Sequence, residues 1–239
     1  GLQQAETDRR LLKVGEAVDR FYVLENNGIY QSDAEVPVKD GRKMTVNGVE
    51  LKAGDPKWVD KNGNNKITDE DKVLKGHSLP KYTGGFSTQL KFKRFDLGAS
   101  FFFAAGQSAM NYRAYQQYDF TTLDKGDNLA GVKEIFFWQS GNVPMDYPRY
   151  NALSEVHPYR ADQDLYLEKV SYLKLRSVTL GYSVPTAKHS VYVYVSGNNL
   201  FTVTNFSGDD PELVDFDGYY RGYGMGIPRS VTLGVRCSF

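Results

Sequence analysis

The sequence has 239 residues, with 29 basic and 29 acidic side chains and a formal net charge of zero. That balance offers no basic surplus or stripe for nucleic acid, and no run of about 18 apolar residues is present to cross a bilayer as a helix. Tyr (17), Phe (14) and Gly (23) are abundant, a mixture suited to strands and turns. A lone cysteine, Cys237, excludes an internal disulfide and a zinc site built from several cysteines. Gly1–Arg10 is polar and has no signal-peptide pattern, so an exported form is expected to be a processed or truncated chain.

Taken in chain order, Leu11 to Leu24 is a weak strand candidate. A long turn-rich stretch, about Glu25–Gly85, follows. Then Phe86, Thr88, Leu90 and Phe92 alternate with Ser87, Gln89 and Lys91. After Lys93-Arg94, Phe95, Leu97, Ala99, Phe101 and Phe103 alternate with Asp96, Gly98 and Ser100. This period of two predicts a hairpin with a short turn. A second long stretch, about Ala105–Leu165, carries a predicted short helix near Val132–Gln139. Val178, Leu180, Tyr182 and Val184 then alternate with Thr179, Gly181 and Ser183; Pro185–Ser190 links them to Val191, Val193 and Val195, which alternate with Tyr192, Tyr194 and Ser196. A third long stretch, Thr202–Pro228, precedes the strongest signal. From Arg229 to Phe239 one face reads Val231, Leu233, Val235, Cys237 and Phe239, and the other Thr232, Gly234, Arg236 and Ser238. That length matches the roughly 9–11 residues with which a tilted strand crosses a bilayer.

Placing Phe239 in the periplasm puts every short turn on that side and all three long stretches outside, the asymmetry of outer-membrane barrels. A soluble sandwich has no reason to sort its loops so. About six strands are too few, because the smallest single-chain barrels have about eight. An open edge in hydrocarbon leaves unpaired N–H and C=O groups. Further strands must therefore come from elsewhere.

Five segments resemble, in order, the C-terminal third of SusC/RagA-type TonB-dependent transporters. Gly54 to Thr68 resembles "GDxxyxDxNxDGxIt", Gly76 to Gly85 "G-x-x-x-P-x-x-x-G-G", and Ser171 to Pro185 "sYlrlrnvtLgYtlP". Tyr194 to Thr202 with Gly208-Asp209-Asp210-Pro211-Glu212 resembles "vsgqNLftxT…GxDPE". Pro228 to Gly234 with Phe239 resembles "PxxrtxtlGlxxxF". The resemblance implies an all-β, antiparallel, multi-pass transmembrane barrel of about 22 strands with long extracellular loops. On that reading residues 1–239 form the C-terminal barrel segment, with plug and N-terminal strands absent. It implies an outer-membrane importer of oligosaccharides or peptides, driven by TonB through the missing part and lidded by a SusD-like lipoprotein, and no enzyme.

Candidate sites follow from the residues. Leu233, Gly234, Val235 and Phe239 form the family's barrel assembly signal, an amphipathic last strand with a terminal aromatic. Gln89, Lys91, Asp96 and Arg236 sit on polar faces and are lumen candidates, an assignment that reverses if the register slips by one. Asp60, Asn62, Asn64, Lys66 and Asp71 fall at positions 1, 3, 5, 7 and 12 of an EF-hand-like loop, a spacing that wraps oxygens round Ca²⁺ with Lys66 giving its carbonyl. Asn65 replaces the usual Gly at position 6, and Asn tolerates positive φ better than most. Such an ion is structural. The competing reading is a metal-free Asn/Asp/Gly turn.

Tyr112, Tyr115, Tyr118, Phe120, Phe136, Phe137 and Trp138 in one long loop, and Phe216, Tyr219, Tyr220, Tyr223 and Met225 in another, either stack on sugars and face the lipoprotein or pack the loops together. Catalysis has little support. His77, His157 and His189 are scattered, and Asp209, Asp210 and Glu212 read as turn and cap chemistry. A membrane-embedded hydrolase needs a Ser/His/Asp cluster in space. The main alternative is a soluble extracellular calcium-binding β-module for carbohydrate, in which Phe92, Phe101, Phe103, Val235 and Phe239 meet a dry core instead of lipid.

Overall fold

The computed structural model describes residues 4–7, 10–118, 138–139, 147–149, 154–186 and 189–238. Two compact units divide the chain. The first comprises Gly1–Ser78, Met110–Leu167 and Tyr219–Arg221, and the second Leu79–Ala109, Glu168–Gly218 and Gly222–Phe239.

The second unit is built on five long strands in the order of the chain: β1 (Tyr82–Phe92), β2 (Phe95–Asn111), β3 (Leu167–Val184), β4 (Ser190–Asn198) and β5 (Ser230–Ser238). β1 and β2 form the expected hairpin, with Phe92 opposite Phe95. Its two-residue turn needs a positive φ, which Lys93 adopts (56°). The Ser183 N–H donates to the Arg94 carbonyl at 2.8 Å and the Gly106 N–H to Ser171 Oγ at 3.4 Å, so β3 runs antiparallel to β2. β3–β4 and β4–β5 are antiparallel as well. The sheet is an open meander. Its Lys93-Arg94 and 185–189 connections leave the same end, and the long connections leave the other.

The registers sort the side chains cleanly. Phe86 lies opposite Phe101 and Leu90 opposite Leu97; Leu180, Val195 and Leu233 line up across three strands, as do Tyr182, Val193 and Val235. On the reverse face Gln89 lies opposite Gly98 and Lys91 opposite Asp96, while Thr179, Ser196 and Thr232 form a row. Nothing among the described residues covers the apolar face. Phe92 is 70% exposed, Leu233 82% and Val235 64%. A sheet with this much uncovered aliphatic and aromatic surface is unsuited to water, where each fully buried side chain of this kind is worth about 1.5–3 kcal/mol.

Two strands run further than the alternation predicts. β2 continues to Asn111, and β3 begins at Leu167 rather than near Val178. Polar residues break the pattern there, and three of them are answered from a distance: Glu168 accepts from Ser207, and Lys174 and Arg176 meet Glu212. Register also slips by one. Lys174 faces Thr202 and Ser177 faces Asn198, so three steps on β3 match four on the other side, where Asn199 takes φ 52°.

The first unit consists of short strand pairs. Phe21–Leu24 pairs with Lys72–Lys75, Asn26–Ile29 with Pro56–Trp58, and Val38–Lys39 with Arg42–Lys43; Thr45–Val46 lies between Val49–Glu50 and Lys66–Ile67. Leu24, Tyr30, Met44, Val46, Leu51, Trp58 and Ile67 form its core with Val156. In place of the expected single strand over Leu11–Leu24 there are two. Arg10–Lys13 and Phe21–Leu24 are separate, and all four residues of the latter are buried on both faces. Tyr112–Tyr118 is helical. The helix expected near Val132–Gln139 lies outside the described residues except for Trp138 and Gln139, which are not helical.

Candidate functional site

The polar face of the five-stranded sheet gathers the lumen candidates. Lys91 and Asp96 are direct cross-strand partners, and Gln89 lies two residues along the same face. Tyr192, paired with Arg236 in the β4–β5 register, donates its hydroxyl to Asp96 Oδ1 at 2.7 Å. Asp96, Tyr192 and Arg236 thus share one surface across four strands.

The Tyr192 ring reaches Asp96 by lying over Gly181 of the intervening strand. A Cβ at Gly181 would stand 1.7 Å from the Tyr192 hydroxyl and 2.2 Å from Cζ. Tyr194 lies similarly over Gly234, where a Cβ would stand 2.3 Å from Cζ. The two rings stack with centroids 5.9 Å apart. Tyr192 and Tyr194 were missed by reasoning from alternation alone. The signal was a glycine inside each neighbouring strand, which marks a close approach.

A second cluster joins two of the recurring segments. The Lys174 ammonium is 2% exposed and pairs with Asp210 Oδ2 at 3.2 Å and with Glu212, whose carboxylate also takes the Arg176 guanidinium. Asp210 Oδ1 accepts the Glu212 N–H at 3.0 Å, capping the short turn at Pro211. Arg176 also lies 5.0 Å over the Phe102 ring. Asp210 and Glu212 therefore cap a turn and also neutralise two cations of a strand.

The proposed calcium loop is ordered by its own backbone. Asp60 accepts N–H groups from Gly63 (2.7 Å), Asn64 (3.3 Å) and Asn65 (2.7 Å). Asn62 Oδ1 accepts from Asn64, and Asn64 Oδ1 from the Lys66 N–H. Asn65 takes the left-handed φ of 63° that position 6 requires. Asp71 is fully buried at the other end, where its oxygens accept the Lys61 and Thr68 N–H groups. Asp60, Asn62 and Asn64 are thus brought together, and Asp71 is occupied in closing the loop. Among the described residues no three His, Cys, Asp or Glu side chains are grouped to hold a metal.

The neighbouring motif residues have structural reasons of their own. Gly54 (φ 87°) has no room for a Cβ, which would meet Trp138 at 2.6 Å and Arg149 at 2.8 Å. Asp55 is fully buried and accepts from Arg149 Nε at 2.9 Å; burial pushes its carboxyl up despite the Lys52 N–H and the guanidinium. Trp58 Nε1 donates to the buried Gln163 at 2.9 Å.

In the assembly signal, Leu233 and Val235 project from the exposed apolar face with Cys237, and Gly234 lies under Tyr194. Phe239 lies outside the described residues. The loop aromatics divide. Tyr219 and Tyr220 are buried, and Tyr115 packs edge-on against Tyr166 at 5.6 Å. Phe216, Tyr223 and Met225 are exposed. Phe120, Phe136, Phe137 and the Tyr118 side chain lie outside the described residues.

No family model matches the chain. TonB-dependent receptor P3 of Formosa agariphila is 31% identical over 211 residues, 85% of this chain and 19% of that protein. TonB-dependent receptor SusC of Bacteroides thetaiotaomicron is 25% identical over 95% of this chain and 20% of its own length. Among solved structures, the RagAB peptide importer in its open-open state superposes with a TM-score of 0.70 at 21% identity, covering all of this chain and 24% of that one. The RagAB peptide transporter gives 0.68 at 20% identity. These relatives are receptors and transporters rather than enzymes, and the chain spans about a fifth of the length of the curated ones. By sequence the chain resembles part of TonB-dependent receptors, SusC among them, and its fold is that of part of the RagAB transporter.

Proposed function

We propose that the chain supplies the C-terminal wall strands and external loops of an outer-membrane transporter importing oligosaccharides or peptides. The supporting observation is the five-stranded meander with one bare apolar face and one polar face, on which Tyr192 bonds to Asp96 and lies beside Arg236. The apolar face meets lipid and the polar face, with Gln89 and Lys91, lines the lumen. Five wall strands in about a fifth to a quarter of a relative's length fit a barrel of about 22 strands. Its remaining strands and plug supply the missing pairing edges and the route to TonB. A SusD-like surface lipoprotein caps it, a reading supported by the likeness to SusC and RagAB. Leu233, Gly234, Val235 and Phe239 present the assembly signal. The soluble-module alternative loses ground because Phe92, Phe103 and Val235 have no core to enter.

The loop Asp60–Asp71 is included as a structural Ca²⁺ site of weak affinity, ~10⁻⁴–10⁻³ M, held by Asp60, Asn62, Asn64, the Lys66 carbonyl and Asp71 at position 12. The left-handed Asn65 supports it.

The test is to isolate outer membranes in gentle detergent and identify what travels with this chain. Co-purification of plug-bearing barrel sequence and a surface lipoprotein, with uptake lost when the strands are deleted, is expected. Recovery of the chain alone in the soluble fraction would overturn the proposal.

A further inference from the structure

The hairpin of Val38–Lys39 and Arg42–Lys43 and the stretch from Asn64 to Lys66 enclose a groove of about 680 Å³. Four cations line it, Lys39, Arg42, Lys43 and Lys66, against one carboxylate, Asp40. The turn is Asp40-Gly41, both residues at positive φ (51° and 74°), as a tight two-residue hairpin demands. It sets Lys39 directly opposite Arg42, a like-charge cross-strand pair that works against the hairpin.

The protein relieves only part of this repulsion. Lys39 Nζ donates to the Gly63 carbonyl at 2.6 Å, and Lys43 Nζ stands 3.7 Å from the Asp33 carboxylate. The Arg42 guanidinium and the Lys66 ammonium have no hydrogen bond or ion pair among the described residues; each uses only its backbone, Arg42 through its carbonyl to Asn65 and Lys66 through its N–H to Asn64. A chain of zero net charge has thus concentrated unneutralised positive charge in one concave place.

We propose that this groove binds the oxyanion of an anionic ligand, a sulfate, phosphate or carboxylate group. Arg42 presents the planar fork that matches two oxygens, and Lys39 and Lys66 act as point charges beside it. The oxyanion comes either from a charged saccharide or from the phosphorylated headgroup of lipopolysaccharide. The inference rests on the groove alone and does not require the transporter reading.

The test is calorimetric titration of the detergent-solubilised protein with galactose 6-sulfate, with galactose, and with vesicles containing or lacking lipopolysaccharide. Binding of galactose 6-sulfate but not galactose identifies the saccharide source. Binding of the lipopolysaccharide vesicles alone identifies the headgroup. Either way, Arg42→Gln and Lys66→Gln are each expected to weaken binding about tenfold, and affinity falls as salt is raised. Both side chains are exposed, and an unchanged circular dichroism spectrum confirms that the variants fold. If no anionic arm binds, or the double variant binds as tightly as the parent, the proposal fails.

Discussion

Gly181→Ala is a one-methyl change with a calculable consequence. The new Cβ falls 1.7 Å from the Tyr192 hydroxyl, 2.2 Å from Cζ and 2.6 Å from Cε2, so the ring must leave its place over β3. The ring is rigid, and tilting its tip cannot clear all three contacts. Moving it breaks the 2.7 Å hydrogen bond to Asp96, worth about 1.5–3 kcal/mol for a charged acceptor. An off-rotamer compromise costs about 0.5–1.5 kcal/mol. Against this, Ala is favoured over Gly within a strand by roughly 0.5–1 kcal/mol. The net expectation is a loss of about 1–4 kcal/mol. Denaturant unfolding of the barrel in detergent measures it. The decisive arm is Tyr192→Ala. With the ring gone, Gly181→Ala is expected to become neutral or stabilising. An equal loss in both backgrounds refutes the account of this contact.

Other consequences follow from the ion pairs and loops. Glu212→Gln leaves the buried Lys174 with Asp210 alone and takes the carboxylate from Arg176, and is expected to cost about 1–3 kcal/mol, read as a lowered melting temperature; Lys174→Met combined with Glu212→Leu should cost less. For acid stability, burial raises the Asp162 carboxyl, but Arg160 and Lys72 outweigh it and hold the pKa below its ordinary value. Lys61 chiefly, with Lys75, does the same for Glu25. Because both folded pKa values are depressed, their stabilisation is complete above the unfolded values of about 4 and disappears as pH falls through the folded ones. Melting temperature should drop below pH ~4, and Asp162→Asn should flatten that slope. Millimolar Ca²⁺ should raise the melting temperature and protect residues 60–71 from proteolysis, an effect abolished by Asp60→Ala; no change with Ca²⁺ removes the metal from the proposal.

The sequence disclosed the wall better than the loops. Strict alternation in Phe86–Phe92, Val178–Val184 and Val231–Cys237 reports a sheet with two different faces, and those strands stand where the pattern put them. The pattern failed where a strand carries charges answered from far along the chain. Lys174 and Arg176 interrupt the apolar alternation, and their partners Asp210 and Glu212 lie more than 30 residues along the chain. Phe21–Leu24 is buried on both faces, so no period was available to read. The Asp96–Tyr192 link spans 96 residues, and only the in-strand glycines hinted at it. Gly54, Asp55 and Trp58 matched a recurring motif before their reason was visible. That reason, packing around Arg149 and Gln163, is tertiary.

The claim on which the rest depends is that one face of the five-stranded sheet meets lipid and the other water. Spin labels at single cysteines, in a Cys237→Ser background reconstituted in bilayers, test it directly through accessibility to oxygen and to a water-soluble nickel chelate. Labels at Leu90, Leu97 and Leu233 should respond to oxygen, and labels at Gln89, Lys91 and Arg236 to nickel, alternating residue by residue along each strand. Nickel access to both sets, or the reverse alternation, would contradict the account.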